Sequence, residues 1–267
     1  MGTTGGNQIG PAASGGTLGL ALSGGAVLGC SQIGVLKALD EAGIQVTHLA
    51  GTSIGAIIAA FYAFGLSPGE IENVARSITW ADLTRPTASR LGLLSQEGLR
   101  RVLHSKIGPV RLEEAPIPLA MVATDISTGE RVVMAEGDLA VAVSASACLP
   151  GIFVPVERDG RLLVDGGLVE QLPVSPLLKW GVDRIIGVDV FLGMTFRRPE
   201  RLFHLMKNAV DIMLVQGSQR VAEDVDLLIT PDLHNFNSTD LKDVPGLVEA
   251  GYEAAKEALT HSPILER

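Results

Sequence analysis

Three short stretches set side chains and bare backbone where acyl-transfer chemistry could use them. The first is GTSIG, a G-x-S-x-G pattern running from Gly51 to Gly55 and centred on Ser53. A serine hydroxyl is a poor nucleophile unless a sharp strand-to-helix turn thrusts it clear of the sheet, and such a turn tolerates only small flanking residues. Gly51 and Gly55 meet that need. The turn also sets the Ile54 N–H and a helix N-terminus where negative charge would develop. The second stretch is SGGAVLG, Ser23 to Gly29, again expected between a strand and a helix. Its small residues leave the N–H groups of Gly24, Gly25, Ala26 and Val27 unshielded, which suits an anion or an oxyanion. A dinucleotide loop would need G-x-G-x-x-G, but Ala26 stands where its second glycine belongs, and no Gly-Lys-Ser/Thr is present. A plain tight turn is the other alternative. The third is RLLVDGGLVEQL, Arg161 to Leu172, in which Asp165 ends a strand just before Gly166 and Gly167. Asp-Gly alone signals only a turn.

These pieces need a scaffold, and the hydrophobic pattern supplies one. Thr17–Ser23 reads as a strand running into Gly24-Gly25, and apolar residues at Ile33, Val35, Leu36 and Leu39 suit a helix from about Val27 to Ala42, stopped by Gly43. Ile44–Ala50 reads as a second strand, and IIAAFYAF after Ser53 as a buried helix. Strand, glycine-rich turn and helix, twice over, is the rhythm of a parallel sheet covered by helices. Ser67-Pro68-Gly69-Glu70 carries a capping-box start, and Ser67–Pro118 is expected to form a helical layer over the sheet edge. Strands follow at Leu119–Asp125 and Arg131–Ala135, then a small-residue helix at Leu139–Ala147. Phe153–Glu157 and Arg161–Asp165 flank the hairpin signal Asp159-Gly160. Arg184–Val190 and Asp226–Thr230 read as strands, Leu202–Val221 and Leu247–Leu259 as helices. No internal repeat is present, and one domain from residue 17 to 267 is expected after a flexible tail at 1–16.

Composition narrows the function. With 267 residues, 46% hydrophobic and 19% charged, the chain is globular rather than disordered. A formal net charge of −9 argues against a nucleic-acid partner. It also removes long-range attraction to an anionic membrane, so any peripheral membrane contact has to be local. The uncharged run from Leu49 to Gly69 scans as strand, glycine turn and a helix too short to span a bilayer, which needs roughly 20 mainly apolar residues. The first sixteen residues lack the regions of a signal peptide and the full myristoylation pattern, giving a cytoplasmic expectation. Cys30 and Cys148 read as buried free thiols, with a disulfide the lesser alternative. His48, His104, His204, His234 and His261 form no metal-ligand pair, and no cofactor is implied.

Taken together, SGGAVLG, GTSIG and DGG, in this order, resemble the patatin-like phospholipases. The similarity continues through IGVLKALDEAGI, ATDISTGE and SASACLPGIFVPV and covers roughly Leu18 to Ala258. The resemblance implies a three-layer α/β/α hydrolase with a mostly parallel central sheet. It implies a Ser53–Asp165 dyad without histidine, an acyl-enzyme intermediate, and an oxyanion held by N–H groups of Gly25 and Ala26, with Gly24, Val27 and Ile54 as further candidates; Gly29, Gly51, Gly55, Gly166 and Gly167 support the motifs. A Ser–Asp–His triad would have to recruit His204, His234 or His261. A weakly basic aspartate needs a partly dry site, which Leu28, Ile54, Leu149 and Val164 could supply. The implied substrate is a lipid acyl ester.

The chain departs from the family pattern at Leu28, where the family usually carries Arg or Lys, and at Gln32, where His is frequent. Loss of the cation favours a lysophospholipid, neutral ester or acyl thioester over an anionic phospholipid. Ala26 in place of a third loop glycine is expected to be tolerated at negative φ. The alternatives are a catalytically weak lipid-binding or regulatory protein, for which Leu28 is the support, and a nucleotide-binding protein using Gly24–Gly29. Arg197, Arg198 and Arg201 read as a solvated loop, with lipid headgroups as the other option. Leu93, Leu94 and Leu99–Leu103 read as ordinary packing, with a lid or acyl channel as the other option.

Overall fold

A computed structural model describes residues 16–192, 198–200, 224–238 and 240–262, together with positions 205, 208, 209 and 212. Strand β1 (Leu18–Leu22) leads through a 3-10 turn (Ala26–Cys30) into helix α1 (Ser31–Glu41); β2 (His48–Thr52) leads into α2 (Ile54–Ala63). Next come α3 (Pro68–Ser77), α4 (Trp80–Leu83), β3 (Arg85–Pro86), β4 (Gly92–Ser95) and α5 (Glu97–Lys106). Strands β5 (Leu119–Asp125) and β6 (Arg131–Met134) precede α6 (Leu139–Ser146) and the short strands β7 (Gly151–Phe153), β8 (Val156–Arg158) and β9 (Arg161–Asp165). The order closes with α7 (Ser175–Trp180), β10 (Arg184–Val188), β11 (Leu227–Ile229) and α8 (Val244–Thr260).

The central sheet runs β11-β10-β1-β2-β5-β9-β8, with β6 on β5. Its first five strands are parallel, and β6, β8 and β9 join antiparallel. Alternation along the strands explains why both faces are covered. Leu20 and Leu22 of β1, Leu49 of β2, and Ile186 and Val188 of β10 enter the large core with α1, α2 and α8. The intervening Ala21, Ala50 and Ile185 face a smaller core with Leu172, Val174 and Leu177 of the α7 layer. A strand buried on both faces reads as a near-continuous apolar run, as β1 and β5 do. This is the expected α/β fold with a mostly parallel sheet.

Several boundaries differ from expectation. Helix α1 begins at Ser31, because Ala26–Cys30 winds as a 3-10 turn. Strand β2 covers His48–Thr52 rather than Ile44–Ala50, because pairing to β1 (Gly19↔His48) and β5 sets its register. The stretch Phe153–Glu157 is broken at Val154-Pro155, where proline removes a ladder donor. Strand β7 then joins a second sheet, β3-β4-β7, while β8 joins the main one. The 67–118 layer is therefore part helix and part small sheet. The Ser67 capping box forms as expected, and Asp159 (φ 52°) and Gly160 (φ 73°) make the left-handed hairpin turn. Residues 1–15 and most of 202–221 lie outside the described residues. Among those described, no helix is long and apolar enough to cross a membrane.

Candidate active site

Strand β2 ends at Thr52 and α2 starts at Ile54, leaving Ser53 on the turn at φ 56°, ψ −121°. That backbone is costly for a residue with a Cβ and persists only when its surroundings over-determine it. Long-range bonds do so here. The Ser53 N–H donates to Ser146 Oγ (3.0 Å), whose hydroxyl donates to the Val122 carbonyl (2.6 Å). Thr52 Oγ1 donates to the Glu170 carbonyl (3.0 Å), and the Glu170 carboxylate accepts from Arg131, the Ser175 N–H and the Ser175 hydroxyl. Close approach requires the flanking glycines. A methyl group at Gly51 would meet Ala56 Cα at 2.5 Å, and one at Gly55 would meet the Leu22 carbonyl oxygen at 2.2 Å.

Asp165 arrives at the same place from β9, whose pairing with β5 sets it opposite Ala123. The Ser53 hydroxyl donates to Asp165 Oδ2 at 2.7 Å, and the Gly167 N–H donates to Oδ1 at 2.8 Å. The Asp165 N–H donates to the Cys148 carbonyl, and Thr124 Oγ1 to the Asp165 carbonyl, each at 2.8 Å. Gly166 lies against β5, where a Cβ would stand 2.1 Å from the Val122 carbonyl oxygen. Asp165 is 7% exposed. Burial raises its carboxyl from 3.8 to about 6, against the opposing hydrogen bonds from Ser53 and Gly167. A carboxylate in this range, in contact with a hydroxyl on a strained turn, can take that hydroxyl's proton near neutral pH.

The glycine-rich loop packs directly on this turn, since a Cβ at Gly29 would overlap Ile54 Cγ2 at 2.2 Å; it also packs on the chain just past β10, where a Cβ at Gly25 would overlap Val190 Cγ2 at 2.2 Å. Gln32 Nε2 fastens the loop by donating to the Ser23 carbonyl (2.7 Å), which is the local role of the residue standing where the family often has His. Two of the five expected oxyanion donors are spent elsewhere. The Gly24 N–H donates to the Gln171 carbonyl (3.2 Å) and the Val27 N–H to the Ser238 carbonyl (3.1 Å), so neither points to a ligand. Gly25, Ala26 and Ile54, the last being the first residue of α2, have no such partner among the described residues. Ala26 has φ 47°, so the negative φ on which its tolerance was conditioned is not met; the residue is exposed.

Leu28 is 2% exposed and sits in the large core. Leu28→Arg should therefore cost several kcal/mol rather than supply a headgroup contact, because it buries an unpaired charge. A fall in Tm with no gain on anionic vesicles is the expected pair of measurements. Val164 is buried, and Ile54 and Leu149 are half-buried, as a partly dry site requires. His234 is exposed and bonded to Asp232, His261 is exposed, and His204 lies outside the described residues. Among the described residues no histidine hydrogen-bonds Ser53 or Asp165. Cys30 and Cys148 are free and buried, with thiols pushed up to about 12 by burial. No cluster of metal-ligating side chains occurs among the described residues. Ser146, Gln171 and Ser238 were not legible in the sequence as parts of this site; the run of small hydroxyl residues in SASAC was the one hint.

Fold and site define a parallel α/β protein with a serine on a strained strand-to-helix turn and an aspartate in contact with it. The sequence model of the patatin-like phospholipase family matches residues 20–178. The chain belongs to that family. It is 37% identical over 174 residues to an uncharacterised NTE family protein of Mycobacterium tuberculosis, covering 64% of this chain and 48% of that one. It is 36% identical over 190 residues to the patatin-like phospholipase domain-containing protein 6 of Mus musculus, covering 66% of this chain and 14% of the relative. The chain thus spans about half the length of the mycobacterial relatives it matches. Among solved structures, VipD from Legionella pneumophila aligns with a TM-score of 0.53 at 15% identity, over 93% of this chain and 67% of that one. The type III effector ExoU aligns with a TM-score of 0.51 at 14% identity, over 92% and 52%. These two likenesses speak for the fold.

Proposed function

We propose that the protein is a serine acyl hydrolase that cleaves lipid acyl esters through a Ser53–Asp165 dyad. The observation that carries this reading is the 2.7 Å hydrogen bond from the Ser53 hydroxyl to a buried carboxylate, made on a strained turn. Asp165 takes the hydroxyl proton as Ser53 Oγ bonds to the ester carbonyl carbon, and the carbonyl oxygen becomes an oxyanion facing the N–H groups of Gly25, Ala26 and Ile54. Collapse breaks the bond to the leaving alkoxide, which receives the proton from Asp165. Water, deprotonated by Asp165, then attacks the acyl-enzyme and returns Ser53 to its hydroxyl form.

The test is hydrolysis of p-nitrophenyl esters of increasing chain length, joined to fluorophosphonate labelling. Ser53→Ala should lower kcat/KM by on the order of 10⁴-fold or more and remove the label. The chain-length optimum would size the acyl pocket. A folded parent protein that neither hydrolyses any of these esters nor labels at Ser53 would replace this reading with that of a lipid-binding protein.

A further inference from the structure

The small sheet and its neighbouring helix have a surface that the acyl-transfer reading leaves unused. The two most exposed large apolar side chains among the described residues are Leu93 (70%) and Leu91 (56%), and Trp80 close by in sequence is 45% exposed. Leu93 lies on the exposed face of β4, and Leu91 is exposed on the bend immediately before that strand. Arg85 on β3 pairs with Ser95 and lies on that same face, and Ile152 of β7 falls between the register pairs Gly92↔Gly151 and Leu94↔Phe153, beside Leu93. Leu99 and Leu103 of α5, by contrast, are buried packing, as the sequence suggested for the whole stretch. Leu93 is the exception to that expectation.

Charge separates this lobe from the rest of the molecule. Residues 80–106 hold Arg85, Arg90, Arg100, Arg101 and Lys106 against Asp82 and Glu97, a formal +3 inside a chain of −9, which leaves −12 elsewhere. Arg85, Arg90, Arg101 and Lys106 are exposed. Arg85 and Arg101 lie within electrostatic reach of Asp82, whose carboxylate is already engaged by the Thr79 hydroxyl and N–H. The lobe is also tied to the site. Gln96 Nε2 donates to the Ala147 carbonyl (2.8 Å) and Arg100 Nε to Ser144 Oγ (3.1 Å), on the helix whose Ser146 holds the Ser53 N–H. Strand β7 starts three residues after Cys148, whose carbonyl accepts the Asp165 N–H.

We infer that this face, with Leu91 and Leu93 at its centre and arginines at its rim, docks the protein on the surface of an anionic phospholipid bilayer; the inference deepens the acyl-hydrolase reading and rests on it. Exposed leucines enter the acyl boundary while flanking cations meet lipid phosphates, so a chain of net negative charge needs its basic residues gathered at the point of contact. Membrane charge is then read at this lobe, not at position 28 beneath the glycine-rich loop.

The test is sedimentation of the Ser53→Ala protein with vesicles of phosphatidylcholine alone and of phosphatidylcholine containing a quarter phosphatidylglycerol. Binding should be about tenfold tighter to the anionic vesicles and weaken in high salt. Leu91→Asp/Leu93→Asp should lose at least about tenfold in binding to both, and Arg85→Glu/Arg90→Glu should lose the preference for phosphatidylglycerol. Leu178→Asp, a control on α7 at a residue 51% exposed, should bind like its background. With Ser53 intact, the double leucine variant should hydrolyse p-nitrophenyl butyrate at the parental rate, which also reports that it is folded. Unchanged vesicle binding by that variant overturns the inference. So does a fall in mass from dimer to monomer by light scattering without a loss of vesicle binding, which would assign the face to a second copy of the chain. A parent that binds anionic vesicles through this face yet hydrolyses no ester would instead overturn the hydrolase reading alone.

Discussion

Asp165→Asn should abolish ester hydrolysis and yet give a protein that melts higher than its parent at pH 8. The hydrolytic loss, roughly 10³- to 10⁴-fold in kcat/KM, follows from the proposed role of Asp165 as proton acceptor for Ser53. The gain in stability follows from burial. Burial lifts the folded-state value of Asp165 from 3.8 to about 6, so the folded protein holds this proton more tightly than the unfolded chain does. Stability linked to the group is complete below about 3.8 and is lost as pH rises through about 6. Above that the ionised carboxylate costs roughly 3 kcal/mol, taking 1.36 kcal/mol for each pKa unit. An asparagine carries no charge, can still accept the Gly167 N–H, and can offer its amide to Ser53 Oγ. A difference of that size is worth roughly 5–10 °C in a protein of this length. The advantage should shrink towards zero near pH 4. The parent's kcat/KM should rise with unit slope below about pH 6 and then level off. Retained activity in the variant, or a melting advantage that ignores pH, would refute the assignment of Asp165 as a buried base.

The parts of this architecture that lie within a few residues of each other could be read from the sequence, and the parts that depend on distant partners could not. The turn at Ser53 is local: two glycines, a strand before and an apolar helix after leave the chain little choice. The Ser67 capping box and the Asp159-Gly160 turn are local in the same sense. The fate of each loop N–H is not. Whether Gly24 and Val27 are free to hold an anion depends on carbonyls of Gln171 and Ser238, which the topology brings in from distant parts of the chain. The start of β2 at His48, not Ile44, has a related reason. Ile44 and Val46 are as apolar as a strand requires, but pairing with β1 and β5, not local preference, decides where the ladder begins. The sheet β3-β4-β7 leaves no signature in the sequence because its strands are two to four residues long and its β4–β7 pairing joins segments far apart in sequence. Periodicity has nothing to count over so short a run.

Gly55→Ala should damage both stability and hydrolysis, although it changes neither Ser53 nor Asp165. The added methyl would lie 2.2 Å from the Leu22 carbonyl oxygen and 2.6 Å from that of Ser23, and both obstacles are backbone at the end of β1. Neither can rotate aside. Relief requires α2 to withdraw from β1, or the chain entering the Gly24–Gly29 loop to move. Overpacking of this kind costs about 1–3 kcal/mol and sometimes more. Either movement also shifts the Ser53 turn relative to the Gly25 and Ala26 N–H groups, and a displacement on the order of 1 Å can cost about 100-fold in rate. Gly69→Ala provides the contrast. That glycine lies in the first turn of α3, is exposed, and has nothing within 4 Å of an added Cβ. Alanine there should be neutral or stabilise by up to about 1 kcal/mol through helix propensity, leaving the rate unchanged. Thermal melting and p-nitrophenyl ester kinetics on the two variants separate the cases. If Gly55→Ala melted and turned over like Gly69→Ala, the loop and the serine turn would not be packed as closely as the chemistry of this site requires.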